Sequence, residues 1–194
     1  MNFIEVFGRT IDRLHKRPLL VDPDGRLVVN QKRELVELTK IIPAAGNYAI
    51  EDVISESTSL QLPWIFPTTI PQMGWGAITR GNILISTTGL LPKITLDFYQ
   101  FAPTCEMRDN VAATGVLAAD RYSYIGRLDF PALEDLGGCS QTIITPNTYG
   151  NAPLEFQVRC PLQCLYAVAT LRDAETNEAA NMTMNVKLVI AHLV

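Results

Sequence analysis

Three period-two stretches in the last quarter of the chain constrain its fold more than any other feature. Leu154, Phe156, Val158 and Cys160 alternate with Glu155, Gln157 and Arg159. Leu165 to Leu171 forms a second apolar run. Met182, Met184, Val186, Leu188 and Ile190 then alternate with Thr183, Asn185 and Lys187. Successive side chains of a strand point to opposite faces, so these runs specify half-buried strands and not helices.

The same pattern extends upstream. Strands are expected over Val36 to Ile42, Tyr48 to Ile54, Leu60 to Phe66, Gly76 to Thr87, Lys93 to Phe101, Tyr122 to Phe130 and Gln141 to Thr145. Turn residues separate them at 45–47, Gly74, 89–92, 137–138 and 146–153. Many short strands with regular turns predict an all-β fold, an antiparallel β-sandwich of the jelly-roll kind. The one helical candidate in this body is Asn110 to Asp120, as a short helix or single turn crossing an edge.

Charge divides the chain unevenly. Residues 1–40 hold 14 of the 36 charged side chains, with a net charge of +2, and residues 41–194 carry a net charge of −6. The division predicts an N-terminal arm over 1–40, extended or partly helical, and a sandwich body over 41–194. Within the arm Phe3, Ile4, Phe7, Ile11 and Leu14 fall on a possible helical stripe. A polar arm has no core of its own in which to bury them, so they are candidate partner-interface residues. Leu19 to Val29, with Asp22-Pro23-Asp24-Gly25 at its centre, reads as a hairpin. The remaining ligands of a calcium loop are missing from it.

Composition narrows the function. The overall charge of −4, with no clusters of Lys and Arg in the body, points away from nucleic acid. No apolar run is long enough for a membrane span, and no secretory h-region opens the chain, which favours synthesis in a cytosol. Only 19% of residues are charged and the mean hydropathy is +0.13, which hints at apolar surface shared with a partner.

Groups for chemistry are sparse. His15 sits among basic residues, and His192 lies on the last strand as a packing or interface side chain. Cys105, Cys139, Cys160 and Cys164 read as reduced, buried thiols, with Cys160 and Cys164 the one close pair. No four-ligand metal spacing and no cofactor fingerprint occurs. Gly137-Gly138-Cys139-Ser140 reads as a glycine turn ahead of a strand. Asp129 and Glu134 allow a carboxylate pair for glycoside hydrolysis, and Trp64, Trp75, Tyr122, Tyr124 and Tyr149 allow a sugar-stacking platform. Capping and core packing are the competing roles for both sets.

Several longer segments carry a recognisable pattern. They are Ile42-Pro-Ala-Ala-Gly46-Asn-Tyr, Gly76-Ala-Ile-Thr-Arg80, the stretch from Tyr124 to Gly138, Thr145 to Leu154, Leu165-Tyr-Ala-Val and Thr170-Leu-Arg-Asp-Ala174. Together they resemble a family of tailed-bacteriophage virion proteins taken to be capsid decoration, or cement, proteins. The resemblance spans residues 36–190 and is most specific over Gly126 to Pro153. It implies a jelly-roll-like body on the outer surface of the head, with the major capsid protein as partner. It supplies no catalytic residues. A homo-oligomer, dimer or trimer, is the expected state. The competing readings are a sugar- or receptor-binding virion module and, third, a glycan hydrolase.

Overall fold

The structure, a computed structural model, describes residues 32–43, 47–87, 90–146, 152–175 and 182–193. The expected N-terminal helix and hairpin lie outside the described residues. Eleven strands follow one another in these segments: β1 (Arg33–Ile42), β2 (Val53–Ile54), β3 (Trp64–Pro67), β4 (Trp75–Ile85), β5 (Ile94–Tyr99), β6 (Tyr124–Phe130), β7 (Glu134–Asp135), β8 (Ser140–Ile144), β9 (Leu154–Gln157), β10 (Cys164–Leu171) and β11 (Met182–Leu193). The described residues contain no helix.

The strands form two antiparallel sheets, as the alternation predicts. The first runs β1-β11-β4-β8-β7, with β9 also on β4. The second runs β2-β10-β5-β6, with β3 also on β10. Pairs end to end act as single long strands: β8 and β9 share β4, and β2 and β3 share β10. Counted so, the pairing nests outermost to innermost as β1 with β11, β2/β3 with β10, β4 with β8/β9, and β5 with β6. A chain folded into such a nested ribbon and wound over two sheets is a jelly roll.

Between the sheets lies one apolar core. Ile78, Ile83 and Ile85 of β4 and Met184, Val186, Leu188 and Ile190 of β11 meet Phe66, Leu96, Phe98, Leu128 and Leu165 from the second sheet. Each of these side chains contributes roughly 1.5–3 kcal/mol by leaving water. A bulge opposite Val189 and Ile190 leaves Thr79 of β4 out of the ladder, its hydroxyl donating to Val189 O at 3.2 Å. The bulge divides the part of β4 that pairs with β9 from the part that pairs with β8. Gly81 sits just beyond it because a Cβ there would lie 2.7 Å from Phe130.

Two expectations need correcting. Asn110 to Asp120 is not helical: Asn110 and Gly115 have φ of 54° and 67°, and Ala112 bridges to Asp52. Its Ala113 and Leu117 pack against a second, smaller core made by Val53, Tyr99, Cys105, Met107 and Val168. The charge boundary at residues 40 and 41 falls inside β1, so residues 33–40 are sheet and the compact body begins at Lys32. The charged side chains of β1 mislead here because Glu34 and Lys40 point inward and are paired, as described next.

Candidate interaction surface

β1 is the edge strand of the first sheet and, among the described residues, pairs only with β11. Its even-numbered side chains turn toward the second sheet. Glu34 accepts hydrogen bonds from both Thr68 and Thr69 hydroxyls and from Thr69 N at 2.8 Å, with His192 Nε2 3.6 Å away. Burial works to raise the Glu34 pKa, but the threonine hydrogen bonds outweigh it and hold the carboxyl below its usual range. At the other end Lys40 Nζ donates to Glu56 Oε1 and Pro63 O, both at 3.0 Å, and lies 5.3 Å from the Trp64 ring centre. Desolvation lowers the Lys40 pKa against the pull of Glu56. These two clamps hold the edge strand onto the second sheet without strand pairing.

The odd-numbered side chains of β1 open a face that no other described residues cover. Cross-strand partners share a face, so the register places Leu35 beside Val189 and Arg80, Glu37 beside Lys187, Asn82 and Ile143, and Thr39 beside Asn185, Leu84 and Gln141. Leu35 and Ile41 are 64% and 61% exposed. A polar ladder sets the side chains between them. Asn185 Nδ2 donates to Glu37 Oε1 and Thr39 Oγ1, each at 2.7 Å, and Lys187 Nζ lies 3.3 Å from Glu37. The Asn185 amide, helped by Lys187, draws the Glu37 carboxyl below its usual pKa. Asn185 Oδ1 is buried and, among the described residues, accepts no hydrogen bond. Two shallow grooves of about 450 and 390 Å³ flank β1, one at Thr39, Ile41 and Pro43, the other at Leu35, Pro67 and Thr69.

The chemical candidates fall elsewhere and do not assemble. Asp129 lies in β6 of the second sheet, and Glu134 is exposed in β7 of the first. Ser140 is buried, its hydroxyl spent on Thr87 O at 2.9 Å, while Gly137 takes φ of 82° in the turn before it. Trp64 is buried with Nε1 donating to Ile54 O, and Tyr124 donates to Asp97. Trp75 and Tyr122 are exposed, on β4 and on the turn before β6; Tyr149 lies outside the described residues. Among the described residues no group of three or more His, Cys, Asp or Glu side chains is placed to hold a metal ion. No described helix is long and apolar enough to cross a membrane. Phe3, Ile4, Phe7, Ile11, Leu14 and His15 lie outside the described residues.

No family model matches the chain, and no curated protein matches it. Among solved structures, one of infectious bursal disease virus (Gt strain) aligns over 98% of this chain and 45% of that chain, at 9% identity and a TM-score of 0.19. The chain thus spans under half the length of that protein, and a likeness of this size carries no argument.

Sequence reasoning missed the uncovered face. The alternation in β1 and β11 signals an outward row in each, but only the register shows that the two rows join with β4 and β8 into one surface.

Proposed function

We propose that this chain is a structural virion protein that decorates the outer surface of a tailed-phage head and stabilises it by bridging neighbouring copies of the major capsid protein. The observation that carries this reading is the uncovered face of the first sheet. Leu35, Ile41, Leu84, Ile143 and Val189 alternate there with a hydrogen-bonded polar ladder. Such a mixture of apolar side chains and positioned polar groups suits a protein partner of matching contour. Glu37, Lys187 and Arg80 set orientation more than affinity. The net charge of −6 over residues 41–194 favours the outer side of a shell over the side facing packaged DNA. On this reading Phe3, Ile4, Phe7, Ile11 and Leu14 add a second contact to the shell or to another copy of the chain.

The test is cosedimentation of the full chain with empty shells of its own virus, comparing wild type with Leu84→Asp. Removing one central apolar contact and placing a charge there is expected to weaken decoration at least about tenfold, the equivalent of 1.4 kcal/mol. Undiminished binding by Leu84→Asp, or only a handful of copies per purified particle, defeats the proposal.

A further inference from the structure

Cys160 and Cys164 flank the turn between β9 and β10, and their Sγ atoms lie 3.3 Å apart. Local structure puts them there. Gln163 N donates to Cys160 O at 3.0 Å, closing the turn through Pro161 and Leu162. Gln163 has a left-handed φ of 51°, which brings the chain back on itself. Its carbonyl accepts from Thr68 N at 2.8 Å, and Cys164 pairs with Pro67 as the first residue of β10, so the exit from the turn is pinned to the sheet. Both thiols are buried, yet residues 161–163 above them are exposed. A single layer of turn separates the pair from solvent.

We propose that this pair is an oxidation site at which hydrogen peroxide converts two thiols into an intramolecular disulfide, with Cys160 oxidised first. A disulfide bond is about 2.05 Å long, so closure needs the sulfurs to approach by about 1.3 Å. The order follows from their surroundings. Burial raises both thiols; at Cys160 it is outweighed by hydrogen bonds from the Cys164 side chain and the Leu162 backbone, with Tyr166 Oη 4.0 Å away, and its pKa falls below that of an ordinary thiol. Burial and the neighbouring Cys160 push Cys164 up to about 11. The thiolate is the nucleophile, and of the two thiols Cys160 ionises the more readily.

In the first step Cys160 Sγ attacks one peroxide oxygen. An S–O bond forms, the O–O bond breaks, and hydroxide leaves, giving a sulfenic acid. In the second step Cys164 Sγ attacks Cys160 Sγ. The S–S bond forms, the S–O bond breaks, and the departing hydroxide takes up the Cys164 proton as water. Two thiols lose two hydrogens and the peroxide is reduced to two waters. The other two cysteines lack this arrangement: Cys105 Sγ faces Tyr99 Oη at 3.8 Å, and Cys139 sits half-buried in the turn before β8.

The experiment treats the folded full chain with hydrogen peroxide and maps thiols by alkylation and peptide mass. The expected product carries a Cys160–Cys164 bond, with Cys105 and Cys139 alkylated as free thiols, and dithiothreitol reverses it. Closing this short loop is expected to raise Tm by roughly 4–8 °C. In Cys164→Ser the sulfenic acid of Cys160 should persist and be trapped by dimedone, whereas Cys160→Ser should leave Cys164 unmodified on the same timescale. The wild-type peptide map stands alone if either variant fails to fold. Oxidation that reaches Cys139 first, or that leaves Cys160 and Cys164 both free, overturns the proposal.

Discussion

Every residue of β5 is buried, whereas β11, flanked by strands on both sides in the other sheet, alternates buried and half-buried positions over most of its length. Both strands contribute to the shared core; they differ on their outer sides. The second sheet carries the segment 100–123 across its outer face, fastened along β2 by Val53 N to Val111 O and Asn110 N to Val53 O, both 2.9 Å. Beneath it Asp97 is paired twice with Arg127, at 2.8 and 2.9 Å, and Thr95 shares a 2.6 Å hydrogen bond with Thr170. The first sheet has no such cover among its described residues, and its outward polar groups bond to one another along the surface. A face sealed by its own chain contributes stability. A face left open, with its side chains already positioned, is the one suited to a partner.

The sharpest break between the faces is expected at Tyr99. It is buried under the cover, edge-on to Tyr124 with ring centres 5.4 Å apart. Tyr99→Ala should cost about 3–5 kcal/mol in urea unfolding, the range for emptying a buried aromatic site. A loss under about 1 kcal/mol would mean the cover is only loosely seated.

Next in size is a difference in pH response. Asp109, in the cover, accepts hydrogen bonds from Tyr48 Oη and from Ser55 N at 2.8 Å, yet burial, with Asp52 nearby, raises its pKa from 3.8 to about 6. The folded state therefore holds this proton more tightly than the unfolded chain does. The stabilisation is complete below pH 4 and is lost as pH rises toward 6, by about 3 kcal/mol for a shift of this size. Glu34, at the open edge, has a lowered pKa, so its contribution is present above pH 4.5 and is lost as pH falls through its folded value. Unfolding measured from pH 3 to 7 should show Asp109→Asn removing a decline between pH 4 and 6, and Glu34→Gln removing a rise at lower pH. The same sign of change in both variants would contradict the assignment.

The open sheet was the more legible of the two from sequence. β11 and most of β1 could be read from their alternation, because the outward side of each strand is mostly polar. In β5 the same alternation was visible, but alternation alone does not show that Thr95 and Asp97, on the outer side, are buried. Nothing local in ITLDFY announces that Arg127 and Thr170 will satisfy them. Part of the cover, Asn110 to Asp120, read as a short helix or single turn, and the left-handed residues Asn110 and Gly115 break it. β7 has two residues, too few to show a period. The spacing of Cys160 and Cys164 was plain, but their contact depends on the conformation of Gln163. The surface candidate went unread for a similar reason, since it exists only through register.

The smallest effect on stability is expected at the open face, and it bears most directly on the comparison. Leu35 and Ile41 lie on an edge strand, largely in solvent, and their inward neighbours Val36 and Ile42 do the packing. A Leu35→Ser, Ile41→Ser double variant removes apolar surface that the folded chain barely buries. Its stability should stay within about 0.5 kcal/mol of wild type, as for surface positions generally. The clamps at Glu34 and Lys40 are untouched by the change, so β1 keeps its place. If the open face is a docking surface, the same variant loses shell binding while its urea midpoint stands still. A large fall in stability would instead mean that these side chains are already covered within the chain, and the contrast between a sealed face and an open one would fail at its edge strand.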